Sequence, residues 1–259
     1  MQLDEITVVI LTRNEAANLA RTLRSLAWAR RIVVVDSQSE DGSRAIAMSF
    51  PSVILFDRPF DTHAAQWNFA VSQTGIDTSW ILALDADYQV TEALASEIKN
   101  LQPDKDVSGF RARFVYCVEG VPIRSGIYPP VTVLYRRTCG EYVQDGHTQR
   151  LLLKGRIEDL THPIWHDDRK PLGEWLRSQE RYARLEAEKL REARFRDLGW
   201  KDRLRLLMIA APVLVFGYCL FVRGGILDGR RGLLYATQRA LFETLLGLYL
   251  LSSALKQRS

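Results

Sequence analysis

The stretch Trp80-Ile-Leu-Ala-Leu-Asp-Ala-Asp87 decides the fold, because five apolar residues lead directly into a pair of carboxylates. A run this short and this apolar is typical of a strand that is buried on both faces. Three similar runs precede it, at residues 6–11, 32–35 and 53–56. Segments with helical spacing alternate with these runs, at residues 15–28, 41–49, 64–72 and 92–101. This alternation predicts an α/β fold with a mostly parallel, doubly wound sheet.

The pattern changes after residue 109. Two further runs, at 110–118 and 131–136, are predicted strands, and Gly and Pro residues lie between them. We interpret this region as an irregular, partly antiparallel extension of the sheet. Residues 172–195 then form a predicted long, charged helix with one apolar face.

Polar residues follow three of the predicted strands. The first strand leads into Thr12-Arg-Asn-Glu15, the second into Asp36-Ser37, and the fourth into Asp85. Ligands of parallel α/β sheets bind beyond the carboxyl ends of the strands, so these residues are expected to share one crevice. No Gly-x-Gly-x-x-Gly follows the first strand and no Gly-Lys-Ser/Thr occurs, which argues against the usual dinucleotide and P-loop sites.

Asp85 and Asp87 lie at the tip of the most apolar strand, where desolvation and mutual repulsion are both unfavourable. A divalent cation relieves both effects. Mg²⁺ or Mn²⁺ binds one or two carboxylates together with phosphate oxygens, so a metal here implies a phosphorylated substrate. An exposed turn with two solvated carboxylates is the alternative interpretation.

The C-terminal part is apolar and basic. Residues 206–222 contain no charge but include Pro212, and a second apolar stretch, 240–251, is interrupted by Glu243. Both are at or below the length of a spanning helix, and Arg and Gly residues fill 223–232 between them. These features favour helices that lie in a membrane interface. A true span and a buried soluble hairpin remain alternatives.

Composition and charge exclude several classes of protein. The 259 residues are 47% hydrophobic, which is too much for a disordered chain, and 3 Cys are too few for a disulfide scaffold. The net charge of +4 combines −4 for residues 1–149 with +8 for residues 150–259. Since the basic part is also the most apolar part, a membrane surface is the expected partner, and nucleic acid is not.

Three segments in this order and spacing resemble the family 2 glycosyltransferases of GT-A (Rossmann-like) fold: Ile10-Leu-Thr-Arg-Asn-Glu15, Val33-Val-Val-Asp-Ser-Gln-Ser-Glu-Asp-Gly-Ser43 and Leu82-Ala-Leu-Asp-Ala-Asp87. Later segments are similar, more loosely, to bacterial lipopolysaccharide core glucosyltransferases: Asp145-Gly-His-Thr-Gln149, Leu160-Thr-His-Pro163, Arg181-Tyr-Ala183 and Gly224-Gly-Ile-Leu-Asp-Gly-Arg230. The resemblance implies a catalytic domain at 1–170, with a nucleotide-sugar half at 1–101 and an acceptor half at 109–170. Residues 171–259 are then a helical, membrane-associated extension.

The resemblance also implies roles for individual residues. Asp87 holds the Mg²⁺ or Mn²⁺, and His147 completes the metal shell or orients the diphosphate, unless it is a simple loop histidine. Asp145 is the expected general base, because the family usually supplies an acidic base after the second group of strands. The related core transferases carry Glu just after the His, where this chain has Thr148, so the base has moved to Asp145 or lies elsewhere, with Glu141 in reserve. The nucleotide sugar is expected to contact Thr12, Arg13, Asn14, Glu15, Asp36, Ser37, Gln66, Asn68 and Asp85. His162 and His166 are candidates for lining an acceptor pocket.

The resemblance implies an inverting transferase that moves a hexose from a nucleotide diphosphate sugar, with a UDP-sugar as the expected donor. The expected acceptor is a lipid-linked glycan of the lipopolysaccharide core or an exopolysaccharide. The expected location is the cytoplasmic face of the bacterial inner membrane, in a peripheral or monotopic arrangement through residues 204–259. Transfer to polyprenyl phosphate and a non-catalytic membrane adaptor on a transferase fold are the alternatives. A nucleotidyltransferase is disfavoured because the first strand lacks a Gly-rich basic loop after it.

Overall fold

Four parallel strands form the centre of the larger of two units into which the chain folds. In this computed structural model they are β1 (Ile6–Thr12), β2 (Ile32–Asp36), β3 (Val53–Asp57) and β4 (Trp80–Asp85). β4 pairs with β1, β1 with β2, and β2 with β3, always in parallel. Each strand ends one residue beyond its predicted run, so the predicted parallel α/β sheet is confirmed.

The structure describes residues 1–146, 148–194, 196 and 198–256, with the backbone alone at Lys201. The first unit contains Met1–Pro122, Tyr128–Gln144 and Thr148–Arg169. The second contains Ile123–Ile127, residues 145–146 and the described residues from 170 onward. The chain therefore enters the second unit briefly at Ile123–Ile127 and again at residues 145–146, before it joins this unit from residue 170 onward.

Nine further strands complete the first unit. They are β5 (Tyr88–Val90), β6 (Val107–Ala112), β7 (Phe114–Val118), β8 (Val121–Pro122), β9 (Val131–Arg136), β10 (Gly140–Asp145), β11 (Thr148–Leu153), β12 (Arg156–Asp159) and β13 (Ile164–His166). The central sheet has the order β12-β6-β9-β4-β1-β2-β3, and β9 is antiparallel to both of its neighbours. A smaller sheet has the order β5-β13-β7-β8, and β10 pairs with β11. The predicted antiparallel extension is thus confirmed.

Helices cover both faces of the central sheet: α1 (Leu19–Ser25), α2 (Ser43–Met48), α3 (His63–Ser72) and α4 (Glu92–Asn100). Thr62 and Thr91 cap α3 and α4 by accepting backbone N–H bonds of 3.2 Å. Successive residues of β1 point to opposite faces, so Val8 and Val9 belong to different hydrophobic clusters. Both are fully buried, which explains why the strand sequence is continuously apolar.

Two predicted elements have different bounds in the structure. The predicted helix at 15–28 is only Leu19–Ser25, because residues 13–18 form a loop whose amides bind side chains of the next loop. The predicted strand at 110–118 is divided at Arg113 into β6 of the central sheet and β7 of the smaller sheet. A continuous apolar run carries no signal for the residue at which a strand changes sheet.

Glu97 ties α4 to the turn that precedes β13. Its carboxylate accepts the backbone N–H groups of Thr161 and His162, at 2.7 and 2.9 Å, and lies 2.8 Å from Nδ1 of His162. Burial raises the pKa of Glu97, but these N–H groups outweigh it and bring the pKa below its ordinary value. The turn is therefore held by an ionised carboxylate.

The second unit is helical, with α5 (Leu172–Glu192), α6 (Trp200–Arg205), α7 (Ala210–Gly217) and α8 (Gly229–Lys256). Its apolar core forms between α5 and α8, where Ala187 meets Phe242 and Leu246. Arg205 lies among buried carboxylates, 3.1 Å from Glu186 and 3.4 Å from Glu243. This cation offsets the charge that those two glutamates bring into the interior.

The predicted apolar segment 206–222 is a turn with Met208 at φ 44°, followed by α7 and a π-helical turn at Tyr218–Val222. Pro212 lies in the first turn of α7, where a missing N–H is tolerated. The predicted stretch 240–251 is only part of α8. Among the described residues, no single helix has the length and hydropathy to cross a bilayer; Ala210–Val222 and Gly225–Lys256 reach them only as a pair, bent by 71°.

Candidate functional site

Three strand ends lie side by side at one edge of the central sheet. In the parallel register, Thr12 pairs with Asp36, and Leu11 pairs with Asp85. The backbone N–H of Ser37 extends this register by donating to the carbonyl of Thr12 at 2.9 Å. The predicted polar residues after β1, β2 and β4 are thus brought to one level, as expected for a ligand crevice in a parallel sheet.

The loops after β1 and β2 hold each other through side chains. The amide of Asn14 donates to Oγ of Ser39 at 2.9 Å, and the amide of Glu40 donates to the Asn14 side chain at 2.9 Å. Asn14 has a left-handed backbone (φ 53°), a conformation that Asn tolerates better than most residues. The amide of Glu15 donates to Oγ of Ser43 at 2.7 Å. These contacts fix two of the predicted nucleotide-binding residues in place.

Asp36 is fully buried beneath these loops. Its carboxylate accepts the amide and hydroxyl of Ser39, at 2.9 and 2.6 Å, and contacts Arg44 at 3.1 Å. Arg44 also reaches Asp57 at the end of β3, at 3.3 Å. Asp36 therefore organises the loop after β2, and its predicted contact with a nucleotide stays a prediction.

Ser37 and Gln66 form a layer behind the strand ends. The buried Gln66 side chain donates its amide N–H groups to Oγ of Ser37 at 2.8 Å and to the carbonyl of Arg58 at 3.0 Å. The Arg58 guanidinium in turn donates to the side-chain oxygen of Gln66. The hydroxyl of Thr12 is buried and has no hydrogen-bond partner among the described residues. Gln66 thus supports the loop after β2 from α3, and Thr12 retains an unused polar atom at the edge of the sheet.

Asp87 pairs with a histidine that is 79 residues away in the chain. Nε2 of His166, on β13, lies 3.0 Å from Oδ2 of Asp87, and both side chains are largely buried. Tyr88, Tyr116 and Tyr128 surround the imidazole edge-to-face, with ring centroids 4.9 to 5.3 Å away. The aromatic contacts hold the ring in one orientation toward the carboxylate.

The charge of the site favours a protonated His166. Burial alone lowers the pKa of His166, but the charge and hydrogen bond of Asp87, with Asp85 adding to them, raise the pKa above its ordinary value. Nδ1 of His166 is buried and has no hydrogen-bond partner in the part of the chain that the structure describes. The position of the imidazole therefore depends on its contact with Asp87 through Nε2, and no hydrogen bond from Nδ1 to a described residue adds to it.

The residues that follow His166 are anchored near the same edge. The buried carboxylate of Asp167 accepts the amide of Gly120 at 3.0 Å and Nε of Arg169 at 2.9 Å, and lies 3.6 Å from Nε of Arg21. The amide of Asp167 donates to the carbonyl of Asp87 at 3.1 Å. This one aspartate therefore links the end of β13, α1 and the turn after β4.

Asn18 completes the anchor from the start of α1. Its amide nitrogen donates to Glu15 and to Asp168, both at 2.9 Å, and its oxygen accepts the amide of Arg169 at 2.9 Å. The sequence predictions omitted Asn18, Arg21 and Asp167, and they treated His166 only as a candidate for an acceptor pocket. A cluster of polar residues directly after an apolar strand was the available signal, since Ile164-Trp-His-Asp-Asp-Arg169 has the same form as the segment at 80–87.

Several other predicted site residues lie elsewhere. The Asn68 side chain makes two bonds to the backbone of Tyr142 on β10, at 2.8 and 3.0 Å, so its amide joins α3 to a strand. Arg13, by contrast, is part of the loop after β1, where it is exposed. Asp145 belongs to the second unit, where it is 2.8 Å from Nζ of Lys189. His147 lies outside the described residues.

The donor set at the edge suits a metal that shares its ligands with a phosphate group. Within the described ranges, no three His, Cys, Asp or Glu side chains form a group that could hold a metal ion. Asp87 nevertheless offers carboxylate oxygens at this edge, near Asp85, while His166 holds one of them at 3.0 Å. Mg²⁺ and related ions often bind one or two carboxylates and take their other ligands from water and substrate phosphates. The residues present therefore fit such an ion.

A family model described as glycosyl transferase family 2 matches residues 7–150. An uncharacterized glycosyltransferase of Rickettsia felis is 35% identical over 98 residues, which cover 38% of this chain and 34% of that relative. The chain thus spans about a third of the length of that relative. The lipopolysaccharide core biosynthesis glycosyltransferase LpsC of Rhizobium meliloti is 25% identical over 237 residues, which cover 85% of this chain and 82% of LpsC.

Solved structures with a similar chain course include S. aureus TarS 1–349 in complex with UDP-GlcNAc, with a TM-score of 0.45 and 13% identity over 100% of this chain and 93% of that one. Another is glucosyl-3-phosphoglycerate synthase from Mycobacterium tuberculosis in complex with Mn²⁺, UDP and phosphoglyceric acid. Its TM-score is 0.44, with 13% identity over 71% of this chain and 78% of that one.

Proposed function

This chain belongs to glycosyl transferase family 2, and from that membership we propose that it is an inverting enzyme that transfers a hexose to a lipid-linked acceptor. The donor is a nucleotide diphosphate sugar, with a UDP-sugar as the first candidate. The product is a glycan of the bacterial envelope, either lipopolysaccharide core or exopolysaccharide. Similarity to LpsC over 85% of the chain supports this class of acceptor.

The observation that carries the proposal is the pairing of Asp87 with His166 at the edge where the ends of β1, β2 and β4 meet. A nucleotide diphosphate requires a crevice for its nucleoside and positive charge for its phosphates. The strand-end loops provide the first, and His166 together with a divalent cation on Asp87 provides the second. When bound, such a cation supplies positive charge beside the phosphates, as metals do at developing anions.

Asp145 is the proposed general base. In an inverting transfer, the acceptor oxygen forms a bond to the anomeric carbon while the bond from that carbon to the diphosphate oxygen breaks, and the acceptor proton moves to a base. Lys189 pairs with Asp145 at 2.8 Å and so fixes the position of its carboxylate. Thr12, Asn14, Glu15 and Asp85 are the proposed donor contacts.

The proposed location is the cytoplasmic face of the bacterial inner membrane, with residues 204–259 attached to the membrane in a peripheral or monotopic arrangement. Nucleotide sugars and lipid-linked acceptors meet at such a surface. The apolar second unit supports this location, since many of its large side chains are exposed.

The decisive experiment measures transfer of radioactive sugar from UDP-, GDP- and dTDP-sugars into extracted membrane lipid, with Mg²⁺ or Mn²⁺ present. Parallel reactions with polyprenyl phosphate as acceptor test the alternative substrate. Asp87→Asn should lower metal-dependent nucleotide binding about 100-fold. Asp77→Asn is the matched control, because Asp77 is 85% exposed on the same unit and pairs with Arg31 at the surface.

Asp145→Asn should remove turnover and leave donor binding unchanged. If no donor is hydrolysed or transferred by the unmodified protein, the enzymatic proposal is wrong. If Asp87→Asn binds the nucleotide as well as Asp77→Asn does, the metal assignment is wrong, whatever the activity.

A further inference from the structure

The turn between α7 and α8 presents a cluster of exposed apolar side chains. Phe221, Val222, Ile226 and Leu227 each have between 59% and 72% of their surface exposed. A large apolar side chain gains about 1.5–3 kcal/mol when it is fully buried, so four neighbouring ones left in water are unfavourable. We name these four residues the apolar tip.

Both helices that meet at the turn carry further exposed apolar side chains. On α7 they include Val213 and Leu214, and on α8 they include Leu233 and Leu234. Large exposed apolar patches are rare on soluble monomers and mark sites of protein or membrane binding. The tip is thus accompanied by exposed apolar groups on the two helices that it joins.

Exposed arginines surround the tip: Arg124, Arg223, Arg230 and Arg231. Arg223 and Arg230 flank the tip in the chain, and Arg223 donates to the carbonyl of Gly126 at 3.0 Å. The only acidic residue between 206 and 242 is Asp228. The tip therefore combines exposed apolar groups with positive charge that little nearby acid offsets.

Asp228 holds the backbone of Arg124 next to the turn between α7 and α8. Its carboxylate accepts the amides of Arg124 and Ser125, at 2.8 and 3.1 Å, and the hydroxyl of Ser125 at 3.2 Å. The amide of Ile127 donates to the hydroxyl of Tyr235 at 3.0 Å. These bonds fix the segment 123–127 against the turn and surround the Asp228 carboxylate with N–H and O–H donors.

We propose that the apolar tip inserts into one leaflet of an anionic lipid bilayer, with the four arginines at the level of the lipid phosphates. This inference deepens the proposed function, on which it rests, by naming the surface that binds the membrane. The 71° bend between the two helical segments places the tip at a corner, which suits insertion into one leaflet rather than a straight crossing. Arginine binds phosphate through several donors at once, and anionic lipids supply that group at high density.

The test is flotation of the full-length protein with lipid vesicles. Vesicles of phosphatidylethanolamine and phosphatidylglycerol should bind the protein, and vesicles of phosphatidylcholine should bind it at least tenfold less. The double variant Ile226→Asp and Leu227→Asp should bind the anionic vesicles at least tenfold more weakly. Both positions are exposed, so the change leaves the packing of the unit intact. Met48→Asp is the matched control, since Met48 is a 67% exposed apolar residue of the first unit and should have no effect.

A second pair of variants tests the arginines. Arg230→Gln with Arg231→Gln should weaken binding to the anionic vesicles several-fold, whereas Arg30→Gln, exposed on the first unit, should not. Added inorganic phosphate should not release the protein if the lipid surface, rather than a free phosphate, is the ligand.

The proposal is overturned if the tip variant binds anionic vesicles as the unmodified protein does, or if the unmodified protein forms oligomers through this face and ignores vesicles. It is also overturned if phosphatidylcholine binds equally well or if inorganic phosphate releases the protein. Nucleotide binding by the tip variant, measured without lipid, is expected to be unchanged. This measurement separates the two proposals, because nucleotide binding tests the proposed function and vesicle binding tests the present inference.

Discussion

Replacing Asp167 by Asn is the change that best tests how the site is assembled. The buried Asp167 carboxylate carries the contacts of Gly120, Arg169 and Arg21, and its amide donates to Asp87. The amide side chain has nearly the same shape but no charge, so the substitution removes the countercharge of two arginines without creating a cavity. His166 directly precedes this anchor, and its position beside Asp87 depends on it.

The expected loss of unfolding free energy follows from the burial of Asp167, Arg21 and Arg169. Removing one member of a buried ion pair costs about 3–5 kcal/mol. Arg21 and Arg169 are 23% and 36% exposed, so water stabilises part of their charge after the change. We therefore expect the free energy of unfolding to fall by about 2–3 kcal/mol. Metal-dependent nucleotide binding should fall as well, because the segment that holds His166 loosens.

The assay is urea unfolding followed by tryptophan fluorescence, with Asp159→Asn as the control. Asp159 also pairs with an arginine, Arg111, at 2.7 and 2.9 Å, but these side chains are 64% and 49% exposed. Exposed pairs contribute less than about 1 kcal/mol, so the control should be close to the unmodified protein. Equal losses in the two variants, with unchanged denaturant slopes, would refute the assignment of Asp167 as a buried anchor.

Three further changes test the packing of each unit. Glu97→Gln should lower the unfolding free energy by about 1 kcal/mol at pH 7. Because folding lowers the pKa of Glu97, the difference between the variant and the unmodified protein in urea titrations should vanish as the pH falls from 4.5 through that lower pKa. A difference that does not depend on pH would contradict this prediction. Gly232→Ala should destabilise the protein by about 1–3 kcal/mol in thermal melts, since a Cβ there would lie 1.9 Å from the carbonyl oxygen of Gly225. Gly217 has open space around it, so Gly217→Ala should be neutral or stabilising by up to about 1 kcal/mol. The opposite order of stabilities would show that the turn does not approach α8 as described. Arg205→Met should destabilise by about 3 kcal/mol in the same urea assay, because it removes the cation nearest to both buried carboxylates and leaves Glu186 only the more distant Lys189, at 3.7 Å. Unchanged stability would contradict the role assigned to Arg205.

The central strands could be predicted from the sequence because their signal is local. β1, β2 and β4 are buried on both faces, so their sequences are almost continuously apolar and the runs stand out, whereas β3 at the edge of the sheet is only partly buried. The apolar stretch 240–251 covers less than half of α8, because the first turn of the helix carries Gly229 and Gly232 and gives no helical signal. In the structure Gly232 is required by the close approach of Gly225, a reason that involves another part of the chain.

The candidate site was predictable in part for the same reason. Asp36, Asp85 and Asp87 follow local apolar runs, and the structure brings those strand ends to one edge. His166 is 79 residues from Asp87, and no spacing rule connects them. Asn68 has the residue type expected of a nucleotide contact, but its amide is used to hold β10. The type of a polar residue shows which groups its side chain can bind. Contacts made in the folded protein decide whether that side chain binds a ligand or another part of the chain.

The bonds of the segment Ile123–Ile127 also bear on how the chain is made. Its partners Arg223, Asp228 and Tyr235 are synthesised about a hundred residues later. Domains tend to fold from the N-terminus during synthesis, so the connection between β8 and β9 must wait, without its hydrogen bonds, until almost the whole chain has been translated. The C-terminal helices are therefore not a detachable module: exchanging them between relatives would succeed only if the five residues of this segment were exchanged with them.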